Sequence, residues 1–590
     1  MFYTPQRIKR FSLMVMGIGL LSLALLDARP GHVAAEAFIV QGSDLASARA
    51  AVLSAGGKIT HELGIIRAVG ADLTLSQQEH LRALKSLRLY ANRSVQTAKK
   101  PIKTPPGKPA DPIDPKPADE TAHVTGVAAD KLHAEGITGL GVTVAVLDSG
   151  LAEYDPIKRG ANDQLRILSQ YDAIADKELS VWSAANDDYG HGTHVQSIIL
   201  NSEPSWSTGD YRGVAPNAGL VAVKAFNENG QGSYADVIRG IDWLVANKDA
   251  YGIRVLNLSF SARPQSYYWD DPLNQAVMMA WQAGIVVVAS AGNTGPDPMT
   301  IGVPGNLPYV ITVGAMSDNY TPDNPLDDKM ASFSSAGPTA EGFIKPDVIA
   351  PGGHLVGIMD DSGLIAQEHP EFRDENGDYF TMSGTSQSAG VVSGVVALML
   401  QADPTLSPDD VKCRIMTAAR GAYNEDGTPR YSILQQGSGL VDAYAAVHVE
   451  VNGCANRGLD ISSDLSGETH YAGLVRRDDE GNYYLQEVEG KSMLWADSML
   501  WADSMLWADS MVVGDSMLWA DSMLWADSML WADSMLWADS MLWADSMLWA
   551  DSMLWADSML WADSMLWADS TLGVDSLNEP VSVNVWVQQE

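Results

Sequence analysis

The stretch Val142-Thr143-Val144-Ala145-Val146-Leu147-Asp148-Ser149-Gly150 carries the strongest sign of the architecture. Residues 142–147 put β-branched and apolar side chains on both faces of an extended chain. That is the composition of a strand buried on both sides, as in a parallel sheet covered by helices. Similar runs recur at 253–258, 285–289 and 310–313. Between them, 234–246, 273–283 and 388–400 read as helices. Strands alternating with helices predict an α/β domain with a doubly wound parallel sheet over 123–454. Asp148 follows the first strand directly, at the carboxyl edge where open α/β sheets place their active sites. Many such Asp residues only cap the next turn, so this signal is weak alone.

Two further stretches carry chemistry. In Asp188-Tyr189-Gly190-His191-Gly192-Thr193-His194-Val195, glycines flank His191 and leave its ring room to approach other groups. A zinc reading of His191 and His194 fails on spacing: they stand three apart, and the Glu of a His-Glu-x-x-His helix is missing. In Met382-Ser383-Gly384-Thr385-Ser386-Gln387-Ser388-Ala389, a Ser opens a helix with small residues Gly390 and Gly394 along it. The N–H groups at that helix start point at any oxyanion forming beside Ser386. A plain helix-capping Ser is the alternative.

Together the three are far more specific than any one of them. The order Asp, His, Ser is that of subtilisin and differs from the chymotrypsin and α/β-hydrolase orders. Over about 123–450 the chain resembles the subtilase family. The resemblance implies Asp148 as the residue orienting the imidazole, His191 as general base and then acid, and Ser386 as nucleophile. Val286-Val287-Val288-Ala289-Ser290-Ala291-Gly292-Asn293 resembles the family segment whose Asn donates its amide to the oxyanion, which implies that role for Asn293. Asn257-Leu258-Ser259-Phe260 resembles one wall of the primary specificity pocket, with Ala291-Gly292 opposite. Gly230-Gln231-Gly232 resembles the edge that pairs with an extended substrate backbone. These imply Ser259, Phe260, Gly292, Gly230 and Gly232 as substrate-binding positions. The walls carry no charge, so an apolar or broad preference is expected.

The chain also departs from the family. Subtilisins usually follow the nucleophile with Met-Ala-Ser-Pro, and here the run is Gln387-Ser388-Ala389-Gly390. Ser261 stands where a pocket Gly is common, which would narrow the site. The usual Asn-rich calcium loop is not recognisable in 200–212. The acidic loop 374–378 is a candidate for calcium elsewhere, with an exposed acidic turn as the commoner explanation.

Before the catalytic region, Arg7, Lys9 and Arg10 precede an apolar run and then small residues near 33–37. Residues 1–37 therefore read as a cleaved export signal, short of the roughly 20 apolar residues of a membrane span. Residues 38–97 read as a small α/β module: a strand at 38–40, a helix at 45–53, and strands through Ile59 and 64–66. A capping box at 76–79 then opens a helix carrying Leu81, Leu84 and Leu87. This module resembles the pro-domains of subtilisin-like proteases, which assist folding of the catalytic domain and then inhibit it. The Pro- and Lys-rich segment 98–122 reads as an extended linker and the region of pro-segment cleavage.

After 454 come a polar linker (455–492), hexapeptide repeats (493–576) and a C-terminal segment (577–590). The unit Met-Leu-Trp-Ala-Asp-Ser recurs in twelve identical copies between Met493 and Ser570. Its even period suits an extended chain and resembles left-handed β-helices, so a β-solenoid is expected, against a recently duplicated tract with little fixed structure. Outward Trp rows would contact carbohydrate or a cell surface. Cys413 and Cys454 are the two cysteines of the chain, and in an oxidising compartment they most simply form a disulfide. The net charge of −36 argues against nucleic acid as partner.

The reading is a secreted endopeptidase, extracellular or held at the cell surface, acting on polypeptides. Two rivals stand beside it: a catalytically inactive protease domain presenting an adhesive tail, and an esterase using the same triad.

Overall fold

Alternation along two strands shows how the molecule is assembled. In β1 (Glu36–Gln41), Phe38 and Val40 face a small core of their own with Ala48, Val52, Val69, Ala71, Leu73 and Leu81, whereas Ile39 joins the core of the large domain. Ala68, Leu63 and Ile66 also face the large domain. A strand with period two thus serves two cores at once. The structure, a computed structural model, describes residues 35–96 and 120–485 apart from 182–186, 323, 375–376, 425–428 and 479–480. Beyond 485 it describes only the strand dipeptides Ser492–Met493, Val513–Gly514 and Asn584–Val585. The segment up to residue 34 read as an export signal, most of the Pro-rich linker and nearly all of the hexapeptide tract fall outside these residues, and so does the β-solenoid expectation.

The N-terminal module runs β1, α1 (Leu45–Ser54), β2 (Lys58–Leu63), β3 (Ala68–Leu73), α2 (Leu75–Arg82), β4 (Arg88–Ala91) and β5 (Ser94–Gln96). Its antiparallel sheet has the order β2-β3-β1-β4. Two local readings change. Residues Gly64–Ile66 form a 3₁₀ turn closed by Arg67 at φ 58°, and the strand follows it. The capping box of α2 is Thr74 with Gln77, whose Oε1 accepts from Thr74 N at 2.8 Å. Hence α2 starts and ends earlier than the leucine spacing implied, leaving Leu84 exposed beyond it.

In the large domain, β6 (Thr143–Asp148), β7 (Ile167–Asp172), β8 (Lys177–Leu179), α3 (His191–Leu200), β9 (Gly219–Lys224), β10 (Gln231–Ser233) and α4 (Tyr234–Tyr251) lead to β11 (Ile253–Leu258). Then come α5 (Pro272–Gln282), β12 (Val286–Ser290), β13 (Ile311–Ser317), β14 (Lys329–Met330), β15 (Val348–Pro351), β16 (Leu355–Ile358), β17 (Tyr379–Gly384), α6 (Thr385–Ala402) and α7 (Pro408–Ala418). The main sheet has nine strands. Its parallel part runs β7-β9-β6-β11-β12-β13-β15, with β8 and β14 antiparallel at the margins. Helix α6 packs on α3 and α4 on α5, both pairs against the same strands, as a doubly wound sheet requires. The chain leaves β6 toward β9 on one side and β11 on the other, so the order reverses at β6, and Asp148 ends that strand.

Close packing against α6 explains two glycines. A Cβ on Gly394 would come 2.5 Å from Val214 Cβ, and one on Gly390 would touch Val195 of α3. Cys413 of α7 and Cys454 form a disulfide with their Cα atoms 5.3 Å apart. The segment read as a polar linker is partly packed: Asp464 is buried and accepts from Tyr268 Oη at 2.7 Å and Tyr309 Oη at 2.6 Å. Among the described residues, no helix is long and apolar enough to cross a membrane.

Candidate active site

Asp148 is fully buried where β6 ends. Its Oδ1 accepts from His191 Nδ1 at 2.7 Å and from Ser149 N at 2.7 Å. The hydrogen bond to Nδ1 fixes the ring so that Nε2 is the nitrogen left for chemistry. His191 opens α3 after Gly190, whose φ of 100° is accessible to glycine at little cost. Gly192 permits close approach of this turn to the first strand: a Cβ there would lie 2.5 Å from Gly150 O.

A residue not singled out in the sequence braces the pair. The buried Asp187 carboxylate accepts from Ser149 Oγ at 2.7 Å and Gly190 N at 2.9 Å through Oδ1. Through Oδ2 it accepts from Thr193 N at 2.7 Å and Thr193 Oγ1 at 2.6 Å. It thus caps α3 and ties that helix start to the turn after β6. An Asp three residues before a glycine that opens a helix was the available signal.

His194 faces away from this chemistry. Burial pushes its pKa down to about 3, so the ring is neutral. Its Nε2 lies 3.0 Å from Phe380 O and donates to it, and Nδ1 accepts from Gln387 Nε2 at 3.4 Å. The unusual Gln387 after Ser386 therefore reaches a structural histidine. Among the described residues, no group of three or more His, Cys, Asp or Glu is arranged to hold a metal. Of the acidic loop 374–378, the described Asp374 spends Oδ1 on Gly377 N at 2.7 Å and Tyr379 N at 3.1 Å, which closes a turn.

Ser386 lies in the first turn of α6, where backbone N–H groups have no intrahelical acceptor. Its Oγ donates to Ser259 O at 3.1 Å, and Ser259 Oγ donates to Ser386 O at 2.9 Å. Asn257 Nδ2 donates to Ser259 Oγ at 2.8 Å, and Ser393 Oγ to Asn257 Oδ1 at 2.9 Å. This chain of bonds locks the end of β11 to α6. Asn293 Oδ1 accepts from Thr385 N at 3.0 Å and Thr385 Oγ1 at 2.9 Å. With its oxygen held there, Asn293 Nδ2 is turned the other way: a buried donor without a hydrogen-bond partner among the described residues. A buried donor left open is costly in a resting protein and useful where negative charge develops.

The remaining candidates stand on the segments that follow β11 and β12 and on the turn into β10. Gly292 has φ 108°, and the fully buried Phe260 sits 5.4 Å from Phe226, centroid to centroid. Gly230 turns the chain at φ 69° into β10, and a Cβ on Gly232 would collide with Ala225 O. β10 is already paired: β5 of the N-terminal module lies antiparallel on it, with Val95 opposite Gly232 and Gln96 opposite Gln231. Gln96 also bridges Ser261. The same module donates to the large domain from Gln41 Nε2 to Gln275 Oε1 at 2.7 Å and from Ile65 N to Asp242 Oδ2 at 3.1 Å. A cavity bordered by Phe343, Lys345, Lys412 and Asn456 is lined by none of these site residues.

Comparison with known proteins bears on the family. The family profile described as "Subtilase family" matches residues 139–439. Serine protease AprX of Bacillus subtilis is 40% identical over 300 residues, covering 50% of this chain and 64% of AprX. Subtilisin DY of Bacillus licheniformis is 31% identical over 322 residues, which are 54% of this chain and 96% of that protein. Among solved structures, fervidolysin from Fervidobacterium pennivorans, a keratinolytic enzyme related to subtilisin, superposes with a TM-score of 0.54 at 26% identity. That match covers 72% of this chain and 62% of fervidolysin.

Proposed function

We propose that this chain, which belongs to the subtilase family, is a secreted serine endopeptidase made as a precursor that processes itself. The observation that carries the activity is the pairing of His191 Nδ1 with Asp148 at 2.7 Å together with the open, buried Nδ2 of Asn293 beside the Ser386 helix. In this mechanism His191 Nε2 takes the Ser386 proton as Oγ attacks the peptide carbonyl carbon. The oxyanion is met by Asn293 Nδ2 and by N–H groups at the start of α6. The C–N bond then breaks, the amine leaves with the proton held by His191, and water hydrolyses the ester. Asp148 holds the ring through its Nδ1 hydrogen bond and stabilises the imidazolium.

Self-processing and inhibition by the N-terminal module are supported by β5, which pairs with β10 as an added strand. Secretion is supported by the basic, apolar and small-residue pattern of residues 1–37.

The test compares intact masses of the purified wild-type chain and Ser386→Ala, with a peptide-hydrolysis assay on each. Wild type should lose its N-terminal module and cut peptides, and the variant should do neither. Identical cutting of both chains would assign maturation to another protease. Absence of all hydrolysis would instead favour an inactive domain.

A further inference from the structure

The alternation of backbone groups along β17 shows which of its edges is in use next to the nucleophile. Gly384 is extended (φ 163°, ψ 156°), and its N–H donates to Gly352 O at 2.8 Å, on the side where β16 pairs. Along an extended chain, successive residues turn their N–H and C=O to opposite edges. Ser383 therefore turns its own pair to the other edge. Thr385 N points that way too and donates to Asn293 Oδ1 at 3.0 Å, so this edge faces the oxyanion donor. The edge is already paired. The C-terminal strand Asn584–Val585 lies antiparallel on it, with Ser383 opposite Val585 and Gly384 opposite Asn584. Ser386 stands only two residues after Gly384.

Direction and sequence both give that strand a meaning. Asn584 pairs nearer to Ser386 along β17 and Val585 farther from it, so the added strand runs away from the nucleophile. The half of a peptide substrate that departs as the amine has the same polarity: it begins at the cut bond and runs away from it. The sequence is an independent observation. Val581-Ser582-Val583-Asn584-Val585-Trp586-Val587 puts a β-branched residue at every second position, directly after Pro580. That is the composition of a strand, begun where a proline can begin one. It shares nothing with the hexapeptide unit that precedes it. The N-terminal module takes a different edge, that of β10.

We propose that the chain carries an inhibitory strand distinct from its N-terminal module: Asn584–Val585 adds to β17 beside Ser386 and holds the place of the departing half of a substrate. This rests on the endopeptidase reading above. Ser383 offers one N–H and one C=O to this edge, and Val585 directly opposite answers with the same two groups. Strand addition of this kind holds an extended peptide through its main chain. A substrate that continues past the cut bond must therefore displace the strand, whereas one that ends at the cut bond need not. The strand acts as a brake on long substrates, and loss of the last residues of the chain releases it.

The first measurement is amide exchange in the full Ser386→Ala chain, where the nucleophile is absent. The Ser383 amide should exchange about tenfold or more slowly there than in the same chain ended after Glu579. Val585→Pro deletes the N–H that faces Ser383 O and should speed exchange as much as the truncation does. Asn584→Pro removes an N–H turned away from β17 and should leave the protection in place. The second measurement adds a synthetic peptide covering residues 580–590 to the chain ended after Glu579 with Ser386 intact. It should raise the KM of a quenched peptide that continues past the cut bond about fivefold or more, and change turnover of a tetrapeptide anilide less than about twofold. Equal exchange at Ser383 in the full and shortened chains would overturn the strand addition. Slowing of both substrates alike, or of neither, would overturn its place on the departing side. If the shortened chain hydrolyses neither substrate while the exchange difference stands, the endopeptidase reading falls and the strand addition survives it.

Discussion

Replacing Thr385 should slow catalysis through a side chain that Thr385 holds and not through any contact of its own with substrate. Asn293 presents Nδ2 because its Oδ1 is gripped twice, by Thr385 N at 3.0 Å and Thr385 Oγ1 at 2.9 Å. Removing the Asn293 amide should lower kcat ~100- to 1,000-fold, roughly 3–4 kcal/mol, the range known for one oxyanion donor in subtilisin itself. In Thr385→Val the backbone grip stays and the hydroxyl grip is lost. A neutral hydrogen bond contributes about 1 kcal/mol net, so kcat should fall about fivefold to tenfold with KM little changed. Thr385 Oγ1 also accepts from Gly292 N, at a longer 3.2 Å, but if its effect on kcat runs through aiming Asn293, its loss should cost far less once Asn293 is already Ala. Stopped-flow turnover of a tetrapeptide anilide by wild type, both single variants and the double variant closes this cycle. If Thr385→Val costs as much in the Asn293→Ala background as in wild type, the clamp does not exist as a functional unit. An elevated KM with unchanged kcat would also refute it, since an oxyanion donor works in the transition state and not in ground-state binding.

Three further outcomes are expected. His194 has its pKa pushed by burial from 6.5 to about 3; the unfolded chain takes up a proton below 6.5 while the fold refuses it, so stability is full above that pH and drains as pH falls toward 3. Urea midpoints measured in a Ser386→Ala background between pH 7 and 4 should therefore drop more for His194 than for His194→Gln. Asp187→Ala removes four acceptor contacts from the His191 turn and should reduce kcat by about tenfold or more while lowering Tm, because both the helix cap and the approach of α3 to β6 depend on it; an unchanged kcat would show that the His191–Asp148 pair needs no brace. Breaking the Cys413–Cys454 disulfide by double Ser substitution opens a loop of 41 residues' separation and should cost up to about 4 kcal/mol in chemical denaturation, with activity at low temperature retained.

The parts of this molecule legible in the sequence are those set by local composition. Runs such as Val286–Ser290 are apolar on both faces, and only a strand covered on both sides satisfies that pattern. Helix α6 announced itself through Gly390 and Gly394, small where another element must come close. What escaped depends on contacts far apart in the chain or on competition between neighbouring signals. Thr74 and Ser76 both offer an N-cap, and Thr74 holds it because Gln77 can also reach Gly56 O at 2.7 Å. Gly64–Ile66 reads as apolar and strand-like, yet Arg67 in the left-handed region forces a turn there, and Ile66 is buried without belonging to the sheet. At the site, the positions of Asp148, His191 and Ser386 were plain from short motifs. The Asp187 brace joins residues 38 apart, and the Thr385 clamp joins residues 92 apart, distances over which sequence alone carries no geometry. The direction of the Ser261 side chain likewise exists only once Gly292 and Gly302 have been brought beside it.

The N-terminal sheet divides its apolar side chains between its own helices and the domain beneath it, and that division limits how long the module can outlast its removal. Ile39, Leu63, Ile66, Ala68 and Val95 are all buried in the core cluster shared with the large domain. A chain of this size buries too little surface to be more than marginally stable even when its core is entire. Cut loose, the module would present those side chains to water and lose the hydrophobic gain that offsets the entropy of ordering it. Under the proposed self-processing, its fold would last as long as its residence on the large domain. If the module is cut off as proposed, each departure is a chance to unravel within reach of the domain it has just uncovered, which would turn reversible cover into a timer that runs once.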